Sequence, residues 1–473
     1  MPAAAEKCLT PFRRSATRDL NRFVLDLYLT GIFLRPLRLW QDSDFASGTA
    51  GVLYTRLERN SYWNFLIFFT HRGWIMRMKT CGAVLPALFV GVFGVCFGAR
   101  AQNHPAGAPP PAIHTFSTAD IASTGFFYVG GQYVGAPGKE VMDGAEYVEV
   151  IVPKKIRHPY PIVFFHGAGQ TGTDWLQTPD GRPGWAYYFI KQGYTVYMVD
   201  FPARGRSTYN PAADGDGPLT IRTALQLEQI WTDIGAQGNW PQAKKFSQWP
   251  GDGSNKGKMG DPVFDDFART QVQFLAGGKQ AKLNLDAHIA LLDKIGSPVI
   301  LITHSQGGEF GWQVADARPN LVKAIITAEP AGPPIRNVDT SKITYSGPGS
   351  LIWGVTSLPL HYDPPISDPA ELQPVLEAKA EDPDTVPCYL QKEPAHKLVS
   401  MKSIPVLDVS TEASYHRVFD SCIAKWLNQA GVKTEYVKLE DVGIKGNEHE
   451  LMLDKNSDQI AKYFADWLAK NVH

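Results

Sequence analysis

Apolar residues fall into short runs separated by glycine, proline and polar turns. "FFYVGGQYVG" and "EYVEVIVP" read as β-rich segments, the first broken by a Gly-Gly turn and the second alternating in part. "YPIVFFHG" is a buried-strand run ending in glycine, "WAYYFIKQGY" is helix-like, and "TVYMVDFP" is a further apolar strand. "LNLDAHIALLDKIG" carries Leu285, Ile289 and Leu292 on one face of an amphipathic helix that Gly296 ends. The strand "PVILITH", a helix from Gln306 and the strand "VKAIITAEP" follow, and "IPVLDVS" and "TEYVKLEDV" read as later strands. "DQIAKYFADWLAK" puts Ile460, Tyr463, Phe464, Trp467 and Leu468 on one helical face.

Strands alternating with helices predict an α/β fold, a mostly parallel central sheet with helices on both faces. Two stretches interrupt the rhythm: residues 207–282, rich in Gly, Pro, Trp and Phe, and residues 331–402, rich in Pro. Irregular segments of this length inside a compact domain are expected to serve as lids.

The N-terminal region carries a different signal. Residues 76–101 read as a signal peptide: Arg77 and Lys79 form a basic n-region, Cys81–Gly98 is uncharged and apolar, and Ala99-Arg100-Ala101 is a small-x-small cleavage pattern. Gln102 would then open a mature domain of residues 102–473. Because such a segment normally starts a chain, Met76 or Met78 is the expected initiator and residues 1–75 an untranslated upstream extension. A genuine extension with a membrane anchor is the alternative. The shortness of the run and Pro86 favour removal over anchoring, so the expected location is secreted or periplasmic with no stable membrane partner. Of the five cysteines, only Cys388 and Cys422 follow the cleavage point, where they could form one disulfide or remain two buried thiols.

Composition narrows the function. The 473 residues are 44% hydrophobic and 20% charged with a formal net charge of −1, which leaves no basic excess for a nucleic-acid partner. No metal-ligand constellation or dinucleotide loop is present, so no cofactor or metal is expected.

Three turns carry candidate chemistry. In "VILITHSQGGEFGW" a strand, a tight turn and a helix surround Ser305, the recipe for lifting a nucleophilic hydroxyl above a sheet at a helix N-terminus. Thr303 replaces the first glycine of G-x-S-x-G, while Gly307 and Gly308 allow close helix–strand approach; a plain turn with a helix cap is the competing interpretation. In "FFHGAGQTGTDW" the glycines let backbone N–H groups approach the space above the serine. The amides of Ala168 and Gln306 are the expected oxyanion hole. "VDFPARGRS" follows the next strand, with Ala203 where a glycine is usual in such a turn.

The three turns in this order resemble the α/β-hydrolase superfamily over roughly Phe126 to Val472, apart from the two insertions. The resemblance implies a nucleophile, acid, histidine order along the chain. It implies His449, in "VGIKGNEHELML" between the last strand and last helix, as the base in preference to His416; His361 and His396 lie in the second insertion. The aspartate usual after "IPVLDVS" is absent, its place held by Ala413 or Ser414. Glu329, at the C-terminal end of the strand after the elbow helix, can reach the same histidine from the neighbouring strand. The series "HSQGG…AEPAG…GNEHELMLDKN" is similar to secreted bacterial esterases with a Ser-Glu-His triad, which implies Ser305, Glu329 and His449, with Glu412 as the fallback acid.

The expected activity is carboxylic-ester hydrolysis through an acyl-enzyme on a small-molecule ester. An amidase, lactonase or thioesterase using the same triad, and a secreted binding protein that lost the chemistry, are the alternatives. Trp231, Trp240, Trp249, Phe264 and Phe267 in the first insertion and Tyr345, Trp353 and Tyr362 in the second suggest an apolar or aromatic acyl group, unless they form the insertions' own small cores.

Overall fold

A computed structural model describes residues 64–70, 73–79, 109, 113–214, 219–275 and 277–473. The chain divides into Met1–Ala108 and Pro109–His473. Within the first unit the described residues form an antiparallel hairpin, Asn64–Thr70 with Gly73–Lys79. The last residues of that hairpin include the basic Arg77 and Lys79; the apolar run and cleavage pattern of the expected signal peptide lie outside the described residues. Among the described residues no helix is long and apolar enough to cross a membrane.

The second unit is built on an eight-stranded sheet. Its strands are β1 Ile121–Val134, β2 Val141–Pro153, β3 Ile162–Phe165, β4 Val196–Asp200, β5 Val299–His304, β6 Val322–Ala328, β7 Val406–Ser410 and β8 Thr434–Lys438. The order across the sheet is β8-β7-β6-β5-β3-β4-β2-β1. From β4 to β8 all neighbours pair in parallel, while β2 pairs antiparallel with both β1 and β4. The expected mostly parallel sheet is present.

The central strands are buried on both faces, and their alternate residues feed two cores. Ile162, Phe164, Ile300, Ile302 and Ile326 pack against Ala186, Phe189 and Ile190 of α1 (Trp185–Gln192) and Phe464 and Leu468 of α5 (Ser457–Asn471). Val163, Phe165, Val299 and Leu301 face Leu291 and Leu292 of α2 (Gly278–Ile295), Phe310 and Trp312 of α3 (Gln306–Ala317), and Ile423 and Trp426 of α4 (Ser421–Gln429). Each such side chain contributes ~1.5–3 kcal/mol on full burial, so the strand ends are set on a rigid base.

Three details differ from the sequence pattern. The Gly-Gly pair in "FFYVGGQYVG" does not break the strand: Gly130 pairs with Ala145 and Gln132 with Asp143. Gly130, Gly131 and, on the partner strand, Gly144 take positive φ angles of 63°, 78° and 75°. That conformation costs a glycine little and lets the ladder continue through a local kink. Helix α2 begins at Gly278, inside the stretch assigned to the first insertion, because its first turn carries too few apolar residues to show in the pattern. The insertion aromatics are also consumed in packing. Trp231, Trp249, Phe264 and Phe267 join the core under α1 and α5, Tyr362 joins the other, and Trp240 donates to Ala413 O at 2.7 Å.

Cys388 and Cys422 form a disulfide that ties the second insertion to α4 across a sequence separation of 34. Closing a loop of that length restricts the unfolded chain by about 3–4 kcal/mol in the chain-entropy account. The Cys388→Ser/Cys422→Ser variant should therefore lose about 2–4 kcal/mol of stability in non-reducing denaturant unfolding, and an unchanged midpoint would show that the link adds nothing.

Candidate active site

The C-terminal ends of β5, β6 and β7 carry the candidate residues. Ser305 follows β5 with φ 52°, and Glu329 follows β6 with φ 48°. Side chains with a Cβ rarely take this left-handed conformation, and each such residue stores about 1–3 kcal/mol of strain. The surrounding backbone fixes both. Ser305 N donates to Ala328 O at 3.2 Å, Ala331 N to Ser305 O at 2.7 Å, and Glu329 N to Val409 O at 3.0 Å. Half-buried Ser305 thus stands at the N-terminus of α3.

Glycines make the turn sterically feasible. A Cβ on Gly307 would lie 2.7 Å from Phe165 O, and one on Gly308 would lie 2.3 Å from Pro330 Cβ. The irregular Thr303 has its own accommodation. Its methyl group points at Gly311, where a Cβ would sit 3.0 Å away, and its hydroxyl donates to Thr327 Oγ1 at 2.9 Å. Space removed at Thr303 is returned one helical turn beyond the elbow.

The structure brings Glu329 and His449 together. His449 Nδ1 is 2.7 Å from Glu329 Oε2, with both side chains buried. Glu329 also accepts from Thr411 N at 2.7 Å, Thr411 Oγ1 at 2.6 Å and Ser414 Oγ at 2.6 Å. Ser414, at the place where the usual aspartate is missing, thus holds the glutamate that reaches over from the adjacent strand. Glu412 is engaged elsewhere, accepting from Gly446 N at 3.0 Å and lying 3.6 Å from Lys245 Nζ. The His304 ring, next to Ser305, bonds His449 O at 2.9 Å. His449 Nε2 is buried without a partner, and no hydrogen bond joins it to the Ser305 hydroxyl among the described residues. Such contacts are often loose before substrate binds. His361 pairs with Asp316 and His396 with Pro364 O, away from this cluster.

The Ala168 and Gln306 amides find no acceptor among the described residues. Buried Arg204 spans the two segments that carry them. It donates to Gly167 O at 3.1 Å and to Gln306 Oε1 at 2.6 Å. On the other side Gln170 donates to Glu450 Oε2 at 2.5 Å, linking the Ala168 loop to the His449 loop.

Residues 160–343 match the family model described as the alpha/beta hydrolase fold. The curated protein "Probable secreted lipase phiG" from Fungal sp. (strain ATCC 74256) is 43% identical over 348 residues, covering 73% of this chain and 90% of the relative. The chain belongs to the α/β-hydrolase family. A solved structure of a novel bacterial esterase is similar in fold, with TM-score 0.50 and 21% identity over 77% of this chain and 99% of that one.

Electrostatics in this α/β-hydrolase cluster follow from burial. Burial, reinforced by the His416 and Arg222 charges, holds the His449 imidazole well below its ordinary range. Burial pushes the Glu329 carboxyl up, opposed by His416 and by the Ser414 and Thr411 donors. Because the Thr411 amide can only donate, Glu329 Oε1 is an acceptor in this arrangement. His416 stacks on His449 with ring centroids 4.4 Å apart and bonds Asp420 through Nδ1 at 2.8 Å.

Sequence patterns missed Thr411, Arg204 and Arg222. "VDFPARGRS" displays Arg204, but only the folded turn aims it at Gly167 O beside Ala168; Ala203 takes the left-handed φ of 64° that a glycine would adopt freely.

The depressed imidazole of His449 makes folding stability depend on pH. The unfolded chain binds a proton near the ordinary pKa of ~6.5 while the folded ring does not, so this histidine's contribution is complete above that pH and is lost as pH falls. Nitrogen-15 NMR of the imidazoles should show the His449 ring neutral at pH 6; half-protonation near 6.5 would contradict the burial argument.

Proposed function

We propose that the chain is a secreted serine hydrolase that cleaves carboxylic esters with Ser305, Glu329 and His449. The observation that carries this reading is the 2.7 Å contact from His449 Nδ1 to Glu329, which leaves the opposite ring nitrogen unpaired while a strained serine stands at the neighbouring strand end. That contact fixes the tautomer a general base needs.

In the proposed reaction, His449 Nε2 removes the Ser305 proton as the hydroxyl oxygen attacks the ester carbonyl. The amides of Ala168 and Gln306 stabilise the oxyanion. His449 then protonates the departing alcohol, and water activated by the same ring releases the acid and restores Ser305. Glu329 stabilises the imidazolium formed in each step.

Ester chemistry rather than amide, lactone or thioester cleavage is favoured by the relative named a probable secreted lipase. The same name, the Cys388–Cys422 disulfide and the signal-like residues 76–101 support export, with residues 102–473 as the mature domain. Lid roles for residues 207–282 and 331–402 are part of the same reading.

Three variants test it with p-nitrophenyl esters. Ser305→Ala should lower kcat/KM by about 10⁴-fold or more, and Glu329→Gln by about 10²–10⁴-fold. Glu412→Gln should stay within about threefold of the parent, since surface-proximal polar changes away from reacting groups have small effects. Full activity of Ser305→Ala would sink the mechanism, and a larger loss in Glu412→Gln than in Glu329→Gln would reassign the acid.

A further inference from the structure

Two guanidinium groups meet at the candidate oxyanion loop without a carboxylate to pair them. Arg204 is 1% exposed, spends its contacts on Gly167 O and Gln306 Oε1, and keeps a buried, unpartnered Nε. Arg222 donates to Ala168 O at 2.6 Å. Gly169 permits that approach, because a Cβ there would lie 2.5 Å from Arg222 Nη1. Both guanidiniums lean on one ring, with Arg204 4.9 Å and Arg222 5.2 Å from the Phe274 centroid. Arg222 is also 4.7 Å from the Trp231 centroid, and Trp231 stacks on His449 at 6.3 Å. Among the described residues the hydrogen bonds of both arginines go to carbonyl oxygens, backbone or amide, and not to a carboxylate.

Like charges brought together in a desolvated setting are costly unless an anion joins them. Burial, then the charge of Arg222, brings Arg204 down to about 9, while burial lowers Arg222 against the opposing influence of Tyr415 and Glu450. The nearby Glu450 carboxyl, pushed up to about 7 by burial and acting on Arg222 without a direct ion pair, is bonded by Gln170 through Oε2 and leaves Oε1 unpartnered. Arg222 borders a cavity of about 210 Å³ lined also by Ile221, Leu227, Ala268 and Val272. Gln271 and Gln273 line it as well, so its walls are polar and apolar in about equal measure, with a cation at one side.

We infer that Arg222 is a specificity residue that receives a second, ionised carboxylate of the substrate, so that the preferred substrates are esters carrying a carboxylate on a short spacer. This rests on the ester-hydrolase reading, and the test separates the two. One arm puts the charge on the acid part, comparing p-nitrophenyl hemiglutarate with p-nitrophenyl pentanoate. The other puts it on the alcohol part, comparing 3-carboxyphenyl with 3-methylphenyl pentanoate. The parent protein should favour the charged member of at least one pair by about tenfold or more in kcat/KM, and Arg222→Gln should bring that ratio toward one. A ratio near one in both arms of the parent overturns the inference whether or not the variant folds. So does a preference that persists in folded Arg222→Gln. If no ester is turned over, the hydrolase reading fails and calorimetry with glutarate decides. Binding that Arg222→Gln weakens about tenfold keeps the anion site, and absence of binding to the parent removes it.

Discussion

Two adjacent strand ends, both forced into the left-handed backbone region, are the constraint on which this site depends. Ser305 and Glu329 leave β5 and β6 with φ angles of 52° and 48°, and their backbones are laced together through Ala328 O and Ala331 N. Strain of this kind persists only where the surroundings over-determine it. Here the surroundings are a sheet buried on both faces and a helix that approaches through Gly307, Gly308 and Gly311. One packing arrangement therefore aims a hydroxyl and a carboxylate above the same edge of the sheet.

The position of the candidate acid changes the roles of the residues around it. With Glu329 on β6, the loop after β7 supplies no carboxylate to the histidine and instead offers donors, Thr411 and Ser414, to the glutamate. The loop bearing His449 is drawn in from two directions, by Glu329 through its ring and by His304 through its carbonyl. Arg204 and the Gln170–Glu450 bond extend the network to the loop that carries Ala168. A perturbation of any one loop should be felt by the others, because buried polar networks are satisfied together or not at all.

The strands β3 to β6 were legible because burial on both faces leaves an unbroken apolar run, and the elbow because a turn between strand and helix demands small residues. The strand end pointed to Glu329 for the same topological reason. Long-range compensation was not legible. Gly311 making room for Thr303, or Gly144 sustaining the kink opposite Gly131, depends on contacts between segments distant in sequence. Aromatic content misled in part: Trp231, Trp249, Phe264 and Phe267 suggested a pocket, yet their burial is core packing. Arg222 drew no notice because a single arginine in an irregular segment has no pattern; its meaning comes from the carbonyl and rings it touches.

The proposed function requires this network to activate one serine. Covalent labelling with a fluorophosphonate, followed by peptide mass spectrometry of the adduct, tests it most directly, since only an activated serine reacts readily with such a probe. A single adduct, on Ser305, at one equivalent per chain, is expected. Stable modification of a different serine, or no modification of the folded protein, would contradict it.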